Sequence, residues 1–125
     1  MGAAGEWIDG TQRGTPLLQD RSRLAIATLL ATIPSGEMPF VELQKRSELT
    51  AGNLSAHLRK LERAGYVTVT KSFRGRRPST TIAITEPGRK ALEDHIGQME
   101  RIVEQYRSAA GNDRGNDAAV RPDRP

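Results

Sequence analysis

The apolar positions in the first third of the chain predict a buried helix. Asp20 is a favourable N-cap residue, and the segment after it carries apolar residues on nearly every face, with Ile26, Leu29 and Leu30 at helical spacing. A helix that is apolar almost all round is typically central in a domain. Residues 34–36, Pro-Ser-Gly, are expected to end it.

Two further helices with a short connection are predicted next. A brief helix over residues 40–47 has an apolar side formed by Phe40, Val41 and Leu43. Thr50 is a good N-cap for a second helix, over about residues 50–64, whose apolar stripe recurs at i, i+4 and i+7 as Leu54, Leu58 and Leu61. Gly65 suits a left-handed position just past the last turn. About three residues separate the two helices, the spacing of a helix-turn-helix.

The hydrophobic period then changes from 3.6 to 2. Val67, Val69 and Phe73 alternate with polar residues, which predicts a strand over residues 66–73 with one face in water. Residues 80–85 are predicted to be its antiparallel partner. The segment between them, residues 74–79, is a basic loop longer than a tight hairpin needs.

A long helix is predicted last, from Glu86 to about Ser108, with Thr85 as its cap and Pro87 in its first turn. Its apolar stripe is too long for a small domain to cover, which predicts a homodimer through this helix. The expected interface residues are Leu92, His95, Ile96, Met99, Ile102, Val103 and Tyr106. For His95 the sequence favours a hydrogen-bonded interface histidine over a ligand or a pH sensor.

Both ends of the chain have little to bury. Residues 1–15 are predicted to be a flexible leader, residues 16–108 one domain that includes the last helix, and residues 109–125 a disordered tail. No apolar run approaches the roughly 18 residues of a membrane span, so a cytoplasmic protein is expected. The predicted fold class is mainly α with a small antiparallel hairpin, an α+β arrangement.

Charge is concentrated in one part of the chain. The 125 residues carry a net charge of +4. Residues 45–77 contain nine basic and two acidic residues, a net charge of +7. A basic segment on a mildly acidic body is typical of a protein that binds a polyanion.

The order helix, helix-turn-helix, strand, basic loop, strand and long helix resembles a winged helix-turn-helix DNA-binding domain. The segment LTAGNLSAHLRKLERAGYVTVTKSFRGRRPSTTIAITEPGRKAL (residues 49–92) is similar to MarR-like bacterial transcriptional regulators of the MarR/ArsR superfamily. The resemblance covers roughly residues 17–106. It implies a sequence-specific regulator, expected to be a repressor, that binds a pseudo-palindromic operator in double-stranded DNA as a homodimer.

The residues themselves favour the same interpretation. With the leucine stripe inward, the predicted helix over 50–64 offers small and polar side chains to a major groove, and the 74–79 wing offers three arginines to a minor groove or to phosphates. His57 has two interpretations, a residue at the edge of the core or a phosphate contact. The candidate DNA-binding residues are Lys45, Arg46, Thr50, Gly52, Asn53, Ser55, Ala56, His57, Arg59, Lys60, Lys71, Arg74, Arg76 and Arg77.

Other classes of function have less support in the sequence. A winged helix that binds protein or RNA without an operator is the alternative. An enzyme is not expected, because no glycine-rich phosphate loop, nucleophile elbow or metal-ligand spacing occurs. The absence of cysteine excludes disulfides, thiolate metal sites and thiol redox sensing, and no cofactor is expected. A small-molecule effector is left open.

Overall fold

A computed structural model describes residues 16–118 of the chain, with side chains described for residues 16–111. The chain divides into two compact units, residues 1–95 and residues 96–125. The division falls inside the last helix, where the sequence predicted one domain continuing to residue 108. The predicted leader lies outside the described residues.

The first unit begins with a helical turn over residues 16–19 and helix α1, Arg21–Ala31. Asp20 caps α1 as predicted, its carboxylate accepting a hydrogen bond of 3.0 Å from the backbone N–H of Arg23. That bond, with the charge of Arg23 nearby, lowers the pKa of Asp20 below its ordinary value although partial burial opposes the shift. Only one face of α1 is buried, since Ala25 is exposed, so the prediction of burial on nearly all faces is wrong.

The helix-turn-helix follows with its predicted bounds. Helix α2 spans Phe40–Ser47 and helix α3 spans Ala51–Arg63, and Thr50 caps α3 by accepting a hydrogen bond of 3.1 Å from the N–H of Asn53. Gly65 has φ of +82° and donates to the carbonyl of Glu62, which ends α3 in the left-handed turn that its sequence predicted. Val41 is 63% exposed, so its placement on the apolar side of α2 is wrong.

Three short strands form an antiparallel sheet in the order β1-β3-β2. Strand β1 is Glu37–Pro39, strand β2 is Val67–Arg74 and strand β3 is Arg77–Ile84. Strand β1 pairs with residues 81–83 of β3, whereas the sequence indicated only a short extended piece there. Three residues are too few for an alternating pattern to be visible.

The β2–β3 hairpin is tighter than predicted. Its strands continue until Arg74 pairs with Arg77, so Gly75 and Arg76 alone form the turn and the expectation of a long loop over 74–79 is wrong. Gly75 has φ of +63°, which a two-residue hairpin turn requires. Pro78 is tolerated because β1 ends its pairing at Thr81, so at Pro78 strand β3 has a neighbour on one side only.

The core of the first unit is formed by one apolar face of each element. Helix α1 packs on α2, α3 and β3, and α3 also packs on β2. The leucine stripe of α3 is buried as predicted. The fully or nearly fully buried apolar residues are Leu18, Ile26, Ala27, Leu30, Met38, Leu43, Leu54, Leu58, Leu61, Val67, Ile82 and Leu92.

The start of the last helix, α4, is bonded to the end of α3. Helix α4 spans Glu86–Ala118. Just before it, Thr85 donates its backbone N–H to the carbonyl of Tyr66 at 3.0 Å and its hydroxyl to the carbonyl of Gly65 at 2.6 Å, while the same hydroxyl accepts from the N–H of Gly88. The cap predicted at Thr85 is confirmed, and it also joins two helices.

Helix α4 continues to Ala118, past residue 108, where the sequence predicted the helix to end and a disordered tail to begin. Within the first unit, Leu92 and His95 are buried. The Nδ1 atom of His95 has no hydrogen-bond partner among the described residues, whereas the sequence predicted a hydrogen-bonded histidine. Along the part of α4 in the second unit, large apolar residues are exposed, namely Met99, Ile102, Val103 and Tyr106.

Within residues 16–118, no helix combines the length and the apolar character needed to cross a membrane. The predicted fold class, mainly α with a small antiparallel sheet and a long C-terminal helix, is confirmed.

Candidate nucleic-acid interface

The side of α3 opposite the core carries small residues first and cations after them. Gly52, Ala56, Arg59 and Arg63 recur at i, i+4, i+7 and i+11, which places them on one stripe turned away from the buried leucines. Gly52 has open space around it, with no atom within 4 Å of where a Cβ would stand. A helix with this stripe can bring its N-terminal backbone close to a groove floor while its cations reach outward.

Arg63 was not among the predicted site residues. It is exposed at the C-terminal end of α3. Its spacing of four from Arg59 is the signal that could have identified it, because residues four apart on a helix lie on the same face.

A cleft of about 730 Å³ lies between α3 and the β2–β3 hairpin. It brings together three of the predicted site residues, Ser55 and Arg59 from α3 and Lys71 from β2. The full lining is Phe40, Ser55, Leu58, Arg59, Glu62, Val69, Lys71 and Thr80. Two cations from two different elements therefore line one concave surface, together with apolar residues such as Leu58 and Val69. Glu62 places one carboxylate in the same cleft.

The tip of the hairpin concentrates positive charge. Arg74 and Arg77 are paired directly across the hairpin, Arg76 lies in the turn between them, and all three are exposed. No carboxylate forms an ion pair with them in the part of the chain that the structure describes. Like charges directly opposite one another destabilise a hairpin. The arrangement is favourable only with an anion nearby, so the tip is suited to a polyanion.

Other predicted site residues have structural partners. Thr50 uses its hydroxyl to cap α3. Lys45 and Arg46 are exposed in the last turn of α2, but Arg46 forms an ion pair of 2.9 Å with Glu42, which reduces its positive field. Neither Lys45 nor Arg46 lines the cleft.

His57 lies against α1. Its Nδ1 atom is 3.2 Å from Nη1 of Arg23, and since a guanidinium can only donate, Nδ1 is the acceptor. Arg23 also donates to the carbonyl of Leu17 at 2.8 Å and has Asp20 4.0 Å away. The structure therefore shows His57 at the edge of the core, where it positions α3 against α1; a phosphate contact by its other nitrogen stays a prediction.

The remaining candidates on α3 lie on its flank. Asn53, His57 and Lys60 recur at i, i+4 and i+7, and both Asn53 and Lys60 are exposed.

No group of three acidic or histidine side chains that could hold a metal ion occurs among the residues described.

Comparisons with known proteins agree with this geometry. Residues 22–103 match the family model of the winged helix DNA-binding domain. An uncharacterized protein of Methanocaldococcus jannaschii is 39% identical over 80 residues, which span 64% of this chain and 85% of that protein.

Two solved structures are similar in fold. A transcriptional regulator homologue from Pyrococcus horikoshii has a TM-score of 0.68 and 28% identity, with 85% of this chain and 98% of that chain covered. A MarR family transcriptional regulator from Streptomyces coelicolor, solved in complex with DNA, has a TM-score of 0.58 and 20% identity, with 91% of this chain and 80% of that chain covered. The predicted winged-helix fold is confirmed, and it is the fold of this MarR family regulator.

Proposed function

Because the chain belongs to the winged helix DNA-binding domain family, we propose that it binds double-stranded DNA sequence-specifically as a transcriptional regulator. The observation that carries the proposal is the cleft lined by both Arg59 of α3 and Lys71 of the hairpin, next to an arginine tip that has no ion-pair partner among the described residues.

A bound duplex would meet three parts of this surface. Helix α3 enters the major groove, where Asn53 and Ser55 hydrogen-bond base edges and Gly52 and Ala56 allow close approach. The sugar–phosphate backbone between the two grooves lies in the cleft, within reach of Arg59 and Lys71. The arginine tip then reaches the adjacent minor groove or its phosphates.

Selection from a random pool of duplexes tests the proposal. The chain is expected to enrich one family of related sequences and to bind it more tightly than unrelated duplexes at the same salt concentration. Equal binding to every duplex, or preference for a structured RNA, would contradict it and favour the alternative of an interaction module without an operator.

Arg76→Ala is expected to reduce the magnitude of the slope of log K against log salt concentration by about 1, because each lost phosphate contact removes about one counterion from the exchange. Anisotropy titrations of a labelled duplex at several salt concentrations measure this. Lys90→Ala, an exposed cation on α4 that does not line the cleft, is the matched control. An unchanged slope for Arg76→Ala removes this residue from the phosphate contacts.

We also propose that the chain acts as a homodimer and as a repressor. Its apolar stripe, the exposed Met99, Ile102, Val103 and Tyr106 with the half-buried Ile96, is the surface offered for pairing. Leu92 and His95 are buried within the first unit. A two-fold dimer would read two half-sites about 34–36 Å apart, hence a pseudo-palindromic operator.

Ile102→Asp is expected to convert the dimer to a monomer, since Ile102 is 64% exposed in the single chain and a carboxylate would be buried on pairing. Sedimentation velocity at micromolar concentration measures the change, with Arg101→Asp as an adjacent exposed control. A wild-type chain that sediments only as a monomer contradicts the dimer. Repression is tested with a promoter carrying the selected sequence, whose activity should fall when the chain is present.

A further inference from the structure

Phe73 is a large aromatic side chain left in water near the tip of the hairpin. It is 70% exposed, although alternation places it on the same face of β2 as the buried Val67. The sequence predicted it inside, and the structure shows why that is wrong. Residues 70–78 are almost entirely exposed, so the hairpin extends past the elements that cover its inner face.

The neighbours of Phe73 connect it to the cleft. Across the hairpin it is paired with Pro78, and the next pair on the same face is Lys71 with Thr80, both of which line the cleft. Two residues along a strand span about 6.7 Å. Toward the tip, the cross-strand pair of Arg74 and Arg77 follows directly. Because side chains alternate along a strand, those two arginines lie on the opposite face of the hairpin. The face of Phe73 therefore presents a cation and then an apolar pair, and the turn with Arg76 lies just beyond that pair.

We propose that Phe73, supported by Pro78, is an apolar DNA contact of the wing that packs against deoxyribose rings at the edge of the minor groove. The inference rests on the proposed function and assigns a role that the cations do not perform. Lys71 and the tip arginines neutralise phosphates. The sugars between those phosphates present C–H groups to the groove, and an aromatic ring loses its exposure to water when it packs on them.

Charge makes DNA the favoured occupant of this face. Lys71 lies on the same face as Phe73, and Arg74, Arg76 and Arg77 follow at the tip of the same hairpin. None of these four cations has an ion-pair partner among the described residues. A protein partner docking on the ring would have to bring carboxylates to all of them, whereas a duplex carries phosphates on both sides of every sugar.

The test separates the apolar contribution to the affinity for the duplex from the ionic contribution. Phe73→Ala is expected to weaken binding of the duplex selected by the wild-type chain about tenfold at every salt concentration, with the slope of log K against log salt concentration unchanged. Phe73→Leu, which keeps most of the apolar surface, should recover most of that loss. Hydroxyl-radical footprinting should show lost protection of the sugars at the wing site in the alanine variant only.

Val41→Ala is the matched control, because Val41 is another large apolar residue that is 63% exposed but lies on α2 and not on the hairpin. Its affinity should equal that of the wild type. If Phe73→Ala binds as tightly as the wild type, the sugar contact is refuted while DNA binding itself stands. If the wild-type chain selects no duplex at all, the proposed function fails first, so the two failures are distinguishable.

Discussion

Arg59→Glu is expected to weaken duplex binding about 100-fold and to reduce the magnitude of the salt slope by about 1. Arg59 is exposed on α3 and lines the cleft together with Lys71. The substitution would remove the proposed phosphate contact of Arg59 and add a second carboxylate to the cleft that Glu62 already lines. Like charge against the DNA backbone adds repulsion to the lost attraction, so the effect should exceed that of an alanine substitution. Anisotropy titrations over a range of salt concentrations measure both quantities.

The matched control is Lys90→Glu, which changes the net charge of the chain by the same amount. Lys90 is exposed at the beginning of α4 and does not line the cleft. If both variants lose affinity equally, the total charge and not the cleft governs binding, and the proposed position of the DNA backbone is wrong. Thermal unfolding should show similar midpoints for both variants, since both residues are exposed.

Gly88→Ala is expected to lower the free energy of unfolding by about 2–3 kcal/mol. A Cβ at Gly88 would collide with the backbone carbonyl oxygen of Tyr66 and stand 3.0 Å from Cγ1 of Ile84. The carbonyl cannot yield easily, because it accepts the N–H of Thr85 at 3.0 Å. The clash therefore disturbs the hydrogen bonds by which Thr85 links the start of α4 to the residues after α3. Urea denaturation followed by circular dichroism measures the loss.

Gly97→Ala, in the same helix, is expected to change the free energy of unfolding in the opposite direction. Its Cβ would meet only Nη1 of Arg101, at 3.9 Å, so the substitution should raise the free energy of unfolding through helix propensity, by up to about 1 kcal/mol. Two identical substitutions in α4 then differ only in what the added methyl group meets. Equal effects of the two would refute the steric explanation for Gly88.

Local signals in the sequence were sufficient to predict the helix-turn-helix. Asp20 and Thr50 are caps whose side-chain bonds depend on residues three positions away, and Gly65 is selected by a positive φ. The buried stripe of α3 requires only its own periodicity. Such features depend on residues within one or two helical turns of each other, so no knowledge of tertiary contacts was needed.

Features that depend on distant parts of the chain were predicted less well. Alternation places Phe73 on the inner face of its strand, but only the extent of the covering elements shows that the face is bare there. Strand β1 exists because β3 offers it a free edge. The ring of His57 meets Arg23, 34 residues earlier in the chain, and no local pattern indicates that pairing. The cleft likewise arises from packing of α3 beside β2, although its cations were recognised individually.

The junction around Thr85 couples the first turn of α4 to the end of α3. Its hydroxyl and its N–H bind the carbonyls of Gly65 and Tyr66, the two residues that directly follow the C-cap of α3. A tilt of the first turn of α4 must either break these hydrogen bonds or move the end of α3. The position of α3 in the first unit is thus tied to the start of α4 by the hydrogen bonds of a single residue.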